Sequence, residues 1–276
     1  MYKIMEKRVL AENVNEYVIE APEVARHAHA GQFVILMVDA SGERIPFTIC
    51  DYDAKKGLVT ILVQTVGYST MRLAALNAGD SISDFVGPLG NATELDGFKK
   101  VLLVGGGIGS AVIYPQAKHL KNIGRAADSI IGARTKSLIM YEEQFKANSD
   151  KLFVMTDDGT CGEKGFVTDK IKSLLDGGAG YDCVFAVGPL PMMKAVCALT
   201  AGYGIKTIVS MNTIMVDGTG MCGSCRLTVG GFTKYACVDG PEFDGHEVDF
   251  DEAIQRSRFY AKEEKEHICR LTGGPR

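Results

Sequence analysis

Lys100-Val101-Leu102-Leu103-Val104-Gly105-Gly106-Gly107-Ile108-Gly109-Ser110 is an apolar run that breaks into glycines, and a helical stretch over 111–121 follows it. Lys100–Val104 reads as a buried strand. Glycines without Cβ atoms let the next backbone turn approach a pyrophosphate, and the start of a helix favours its negative charge. The spacing is not the strict G-x-G-x-x-G, and a tight structural turn uses the same residues, so the surroundings must decide. Downstream, strands at Asp128–Ile131, Leu152–Met155, Cys183–Ala186 and Lys206–Ser210 alternate with helical segments near 141–147, 165–175 and 190–202. That alternation predicts a parallel sheet with crossover helices. Thr156-Asp157-Asp158-Gly159-Thr160 and Gly188-Pro189-Leu190-Pro191-Met192-Met193 each follow a strand, at the carboxyl edge where ligands bind such sheets. The candidate nucleotide site is therefore Gly105, Gly106, Gly107, Ile108 and Gly109 with Asp157, Asp158, Gly159, Gly188, Pro189 and Met192.

The sequence ahead of Lys99 has a different rhythm. Short runs rich in Val, Ile, Tyr and Phe occur at Tyr2–Leu10, Glu16–Glu20, Gln32–Val38, Ile45–Tyr52, Leu58–Gln64 and Ser81–Phe85, with glycine turns between them. Only Ser69–Leu76 reads as helical. Six strands at this spacing predict a small antiparallel barrel, with the boundary near Asp96–Lys99. Beyond Met211 the alternation stops. Residues 212–225 read as loop, Arg226–Val229 and Phe232–Ala236 as a hairpin over Gly230-Gly231, and Asp249–Tyr260 as a polar helix.

The cysteines carry the most specific signal. Of eight, Cys222, Cys225 and Cys237 crowd into the pattern D-x4-C-x2-C-x11-C that starts at Asp217. Crowded cysteines without a signal peptide read as metal ligands, and glycines let a loop wrap a cluster closely. Similar C-x4-C-x2-C runs bind [2Fe–2S] clusters, with aspartate here in the first position. Either Asp217 supplies an oxygen ligand, or it caps the glycine turn and a three-cysteine site is completed elsewhere, and a structural zinc competes with iron for the site. Cys50, Cys161, Cys183 and Cys197 lie apart and read as buried small hydrophobes.

Arg44-Ile45-Pro46-Phe47-Thr48-Ile49, Leu62-Val63-Gln64 and Gly67-Tyr68-Ser69-Thr70 complete a layout that resembles the ferredoxin-NADP reductase superfamily. In that superfamily a barrel binds FAD ahead of a nicotinamide-nucleotide domain. An Arg-x-aromatic-Ser/Thr strand contacts flavin and phosphate, and a Gly-x-x-Ser/Thr turn holds the pyrophosphate. The resemblance implies that Arg44, Pro46, Phe47, Thr48, Leu62, Val63, Gln64, Gly67, Ser69 and Thr70 bind FAD. Arg44 departs from the pattern, standing four residues before Thr48 instead of three. With the cysteines added, the chain is similar to the electron-transfer subunit of bacterial dihydroorotate dehydrogenase. It is closer still to the small FAD/[2Fe–2S] subunit of NADH-dependent ferredoxin:NADP oxidoreductase, also known as sulfide dehydrogenase, where aspartate replaces the first cysteine as Asp217 does here.

The resemblance implies a multidomain β and α/β chain: an FAD-binding antiparallel β-barrel (1–97), a parallel-sheet NAD(P)-binding domain (98–210) and a small iron–sulfur module with a C-terminal helix (211–276). Its function would be that of an electron-transfer flavoprotein passing electrons from NAD(H) through FAD to a [2Fe–2S] cluster held by Asp217, Cys222, Cys225 and Cys237. No residue need act as covalent nucleophile or general acid. The implied partner is a larger flavin and [4Fe–4S] subunit that forms a heterodimer and works by electron bifurcation. A zinc-stabilised nucleotide-binding regulator is the non-enzymatic alternative. The residues leave NAD and NADP open, since Gly132-Ala133-Arg134-Thr135-Lys136 places no carboxylate where a ribose 2′-hydroxyl is read and could accept a phosphate there; NAD is favoured on resemblance alone. A net charge of −4 without a basic block gives no reason to expect nucleic acid, and no stretch is apolar and long enough for a membrane span. A cytoplasmic protein is the expectation.

Overall fold

The structure is a computed structural model that describes residues 1–272, with side chains through Cys269. Its first sheet comprises β1 (Tyr2–Ala11), β2 (Val14–Glu20), β3 (Phe33–Met37), β4 (Ile45–Asp53), β5 (Leu58–Gln64), β6 (Ser81–Ile82) and β7 (Asp84–Leu89), in the order β6-β1-β2-β5-β4-β3-β7. Every pairing is antiparallel. The expected Ser81–Phe85 strand breaks at Ser83, whose N–H donates to the carbonyls of Met37 and Val38. Its first half pairs with β1 and its second with β3, so this one bend brings the two edges of the sheet together into a nearly closed barrel. Alternate residues fill the interior, among them Ile4, Tyr17, Ile19, Ile61 and Phe85. Two short helices, α1 (Pro22–His27) and α2 (Tyr68–Ala74), flank the barrel. Helix α1 has proline in its first turn and was not expected from the sequence.

The second sheet contains β8 (Lys100–Gly106), β9 (Ala126–Ala133), β10 (Lys151–Thr156), β11 (Glu163–Lys164), β12 (Cys183–Val187) and β13 (Lys206–Ser210). The crossovers are α3 (Gly109–Asn122), α4 (Glu142–Asn148), α5 (Val167–Asp176) and α6 (Leu190–Ala201). These strands run parallel in the order β11-β10-β9-β8-β12-β13. Leu102, Leu103, Val104, Val184 and Phe185 are fully buried, as strands covered on both faces require. Each such side chain contributes roughly 2 kcal/mol of hydrophobic stabilisation. Strand order reverses between β8 and β12, and that switch point opens the crevice in which such sheets take ligands.

After β13 come the hairpin β14 (Arg226–Val229) and β15 (Phe232–Tyr235), β16 (Glu242–Asp244), α7 (Phe250–Arg256) and α8 (Ala261–Thr272). Strand β16 returns to the large sheet and pairs antiparallel with β13, so the cysteine-bearing segment is tied to the nucleotide sheet at its far end. The polar helix expected over Asp249–Tyr260 is shorter; it ends at Arg256, and α8 is a separate helix beyond it. Asp249 caps α7 through Glu252 N–H at 2.9 Å. Barrel and sheet meet through Lys118–Asp51 at 2.7 Å and through Tyr141 donating to buried Glu16 at 2.6 Å. Among the described residues no helix is long and apolar enough to cross a membrane.

Candidate cofactor sites and the electron path

The glycine loop lies at the switch point. Gly107 has φ +57, and a Cβ there would have nothing within 4 Å. Its neighbours are crowded: a Cβ at Gly105 would come within 2.6 Å of Ser110 Cα, and one at Gly109 would strike the Val187 carbonyl. Packing thus presses the loop onto β12 and α3 while leaving Gly107 facing open space, a cradle that fits a phosphate. Met192 lies against both Gly106 and Gly188, so the loops after β8 and β12 touch. The loop after β10 is laced to the one after β9, with Asp157 and Asp158 N–H donating to the carbonyls of Ala133 and Arg134 at 3.1 and 3.3 Å. Asp158 accepts from Thr160 N–H and Oγ1, and Thr160 Oγ1 accepts from Lys136 N–H. Those Thr160 bonds hold the Asp158 carboxyl below its usual range. The sheet edge therefore gathers all eleven nucleotide candidates into adjoining loops.

In the barrel, β4 and β5 pair only as far as Ile49 and Ile61, leaving Pro46–Thr48 and Leu62–Gln64 unpaired with one another at the barrel end. Pro46, Phe47 and Thr48 are half-buried. Leu62 and Val63 point into two different cores, so of that trio only the Gln64 side chain is exposed. The Gly67–Thr70 turn opens α2 as expected. Thr70 Oγ1 accepts from the N–H groups of Val66 and Gly67 and donates to Gly67 O, which shapes the turn. Ser69 Oγ donates at 2.5 Å to Glu43, which directly precedes Arg44 and is not among the candidate site residues. A Cβ on Gly67 would collide with the Glu264 carboxylate of α8, and His267 sits edge-on to Tyr68. Two carboxylates, Glu43 and Glu264, thus converge on the Gly67–Thr70 turn.

Arg44 goes elsewhere. Its Nε donates to Val216 O at 2.9 Å and its Nη1 to Asp84 Oδ2 at 3.0 Å. Val216 directly precedes Asp217, so the barrel holds the entrance of the cysteine loop.

Within that loop, Gly218, Gly220 and Gly223 take φ of +80, +83 and +68, conformations that let the chain wrap tightly. Asp217 accepts from Thr219 N–H at 2.6 Å and Cys222 N–H at 2.7 Å. Those donors hold its carboxyl below the usual range, the Thr219 bond most. The turn-capping role is present, and a carboxylate with one bond per oxygen retains lone pairs for a metal. Cys225 and Cys237 are buried with sulfurs 3.3 Å apart, and Cys222 is exposed. Ser224 hydrogen-bonds lower the Cys222 thiol, whereas burial and then the adjacent Cys225 push Cys237 up to about 12. Among the described residues no three ligating side chains meet at one point; a two-iron cluster takes its ligands as two pairs. The buried pair Cys225 and Cys237, joined across the β14–β15 hairpin, with exposed Cys222 and the Asp217 carboxylate, fits that division. Leu190, Thr213, Cys222, Arg226, Arg256 and Tyr260 line a groove from the nucleotide loops to Cys222.

Of the isolated cysteines, Cys50, Cys183 and Cys197 are buried as expected, and burial pushes each thiol up to about 12. Cys161 is a correction. It sits half-buried in the loop after β10, because Gly159 and Gly162 turn the chain there at the sheet edge.

Residues 212–249 match the family model of the iron-sulfur cluster binding domain of dihydroorotate dehydrogenase B. A Thermotoga maritima protein described as a homolog of the dihydroorotate dehydrogenase B (NAD(+)) electron transfer subunit is 46% identical, over 95% of this chain and 93% of its own. The corresponding electron transfer subunit of Geobacillus thermodenitrificans is 35% identical, over 89% and 96%. Among solved structures, a chain from the NADH-dependent reduced ferredoxin-NADP oxidoreductase, studied for flavin-based electron bifurcation, superposes with a TM-score of 0.94. It is 44% identical over 99% of this chain and 98% of its own. This chain belongs to the family of dihydroorotate dehydrogenase B electron-transfer subunits.

Proposed function

We propose that the chain takes electrons from NADH, passes them through FAD to a [2Fe–2S] cluster, and delivers them to a larger partner subunit. The observation that carries this reading is the docking of the Asp217–Cys225 loop, with Cys237 brought beside Cys225 by the β14–β15 hairpin, onto the barrel next to the carboxyl edge of the nucleotide sheet. In the finer reading, residues 1–97 hold FAD, 98–210 hold NAD(H) and 211–276 hold the cluster. Bound FAD supplies the exchange between a two-electron hydride donor and a one-electron acceptor. The chain itself binds and orients. Gly105–Gly109 cradle the dinucleotide phosphates, with Asp157–Gly159 and Gly188–Met192 beside them. Thr48, Gly67, Ser69, Thr70 and the backbone of Pro46, Phe47 and Leu62–Gln64 hold FAD, and the Ser69–Glu43 bond opens to free that hydroxyl for phosphate. Asp217, Cys222, Cys225 and Cys237 hold iron. Exposure of Cys222, next to Met221 at 88% exposure, supports an exit for electrons at that face. The partner we infer is a second flavin and iron–sulfur subunit in a heterodimer, as the ferredoxin-NADP oxidoreductase likeness supports; a dihydroorotate-oxidising subunit is the second reading, favoured by the match over 212–249.

The test is a visible spectrum of the purified chain with iron and sulfide analysis, followed by titration with NADH. Flavin and cluster bands that both bleach are expected. A colourless chain that holds zinc overturns the reading.

A further inference from the structure

Arg44 lies in sequence beside the flavin strand but is bonded to the cysteine loop 172 positions away. Its guanidinium forms two bonds at once, to the Asp84 carboxylate on β7 and to the Val216 carbonyl. A planar fork with both prongs engaged fixes direction as well as distance, which an ammonium cannot do. A second contact lies one residue past Asp217: a Cβ on Gly218 would stand 2.6 Å from Leu89 Cδ1 and 3.0 Å from Ile35 Cδ1, both barrel side chains. The Asp217 position is thus seated on the barrel from both sides, by Arg44 at Val216 and by close packing at Gly218. From Asp217 the restraint continues to the N–H groups of Thr219 and Cys222. Arg44 and Asp84 are about one third exposed, so their pair alone is worth little. The bond to a loop carbonyl gives the pair its consequence. The neighbouring residue, Glu43, meanwhile takes Ser69 of the candidate pyrophosphate turn. Two consecutive residues therefore tie the flavin turn and the cluster loop to the start of β4.

Resting on the function proposed above, we infer that Arg44 is a positioning residue for electron transfer: it clamps the Asp217 end of the cluster loop to the barrel that carries the flavin, and it is not a flavin-phosphate ligand. Electron transfer falls steeply with separation, so a loop free to lift from the barrel slows the flavin-to-cluster step without touching the hydride step.

The experiment uses the full chain as wild type, Arg44→Ala, Arg44→Lys and Asp84→Asn. Amide exchange at Thr219 and Cys222 is measured in cofactor-free and loaded protein, together with FAD stoichiometry, the electron paramagnetic resonance of the reduced cluster, and stopped-flow rates of flavin and cluster reduction by NADH. Arg44→Ala is expected to keep its FAD and its flavin reduction rate. Exchange at the two amides rises and cluster reduction slows, each roughly tenfold, as for other small misplacements of reacting groups. The cluster resonance broadens, and Arg44→Lys and Asp84→Asn fall between. Loss of FAD with an unchanged cluster signal overturns the inference in favour of a phosphate ligand, and unchanged exchange and cluster rates overturn it outright. Should Arg44→Ala not fold, the Lys and Asn variants decide by the same measurements. A wild type without flavin or cluster sinks the functional reading instead, while exchange in the cofactor-free chain still decides the clamp.

Discussion

The glycine loop after β8 and the cysteine loop after β13 are both glycine-rich, yet they are held in opposite ways. Around Gly105–Gly109 the backbone is pressed against β12 and α3, where Gly105 and Gly109 have no room for a Cβ. Around Asp217–Cys225 the glycines take positive φ, and location comes from one packed contact, Gly218 against Leu89 and Ile35, and from a few polar bonds: Arg44 to Val216, and Asp217 to Thr219 and Cys222. A packed loop is placed by the whole sheet and tolerates little. A tethered loop can be moved by a single side chain. The first suits a site that must hold a dinucleotide in one orientation, the second a site whose potential and distance are tuned.

The largest expected effect breaks the packed side of this contrast. Gly107→Val places bulk in the open cradle and is expected to slow flavin reduction by NADH on the order of a hundredfold, with FAD still bound. Positive φ at residue 107 also adds a backbone cost of about 1–2 kcal/mol. Gly124→Val separates the two, because Gly124 has φ +69 and the same free space but lies beyond α3. It should lose comparable stability and keep NADH reduction. Equal kinetics in both variants, read by stopped flow, would reduce the glycine loop to a turn.

This contrast also explains what the sequence discloses. Parallel strands buried on both faces leave continuous apolar runs, so β8, β12 and β13 and their loops are readable with nearly correct bounds. The barrel strands alternate and read as well. Strand β16 is three residues, Glu242–Asp244, and exists because β13 offers it an edge; no periodicity fits in so short a segment. The bend at Ser83 depends on carbonyls 45 and 46 residues earlier in the chain. Arg44–Val216 and Ser69–Glu43 are likewise products of tertiary closure. The candidate ligand residues are visible in the chain, and the side chains that place them are not.

A smaller effect tests the tethered side. Asp217→Cys restores the commoner four-cysteine pattern and is expected to assemble a [2Fe–2S] cluster with a shifted potential, by roughly 60 mV or one decade for one electron. Thiolate donates more electron density than carboxylate, and it gives up the bonds to Thr219 and Cys222. Asp217→Ala should leave the cluster labile, while NADH still reduces the flavin in both variants. Redox titration with an unchanged midpoint and spectrum in both would leave Asp217 as a turn cap alone.

The smallest effect on electron flow is expected at the seam between the two regions, where Glu242 of β16 lies against the barrel. Its carboxyl accepts from Thr93 Oγ1 at 2.6 Å, Thr93 also meets Gln116 of α3, and the charge of Glu94 acts on it. Burial raises the Glu242 pKa from 4.5 to about 7, partly offset by the Thr93 bond. The folded chain therefore binds this proton more tightly than the unfolded chain does. Stability from the protonated form is complete below about pH 4.5 and is lost as pH rises through about 7, with an upper bound of roughly 3 kcal/mol. Glu242→Gln keeps an oxygen and a donor in place and removes the charge. We expect its denaturation midpoint to match wild type near pH 5 and to exceed it at pH 8, with flavin reduction by NADH within about twofold. Parallel stability curves across that range would show that Glu242 is solvated or paired at the seam. The fastening of the C-terminal segment would then rest on the backbone bonds of β16, on Lys194–Asp251 and Thr200–His246, and on the shared core, none of which titrates with Glu242.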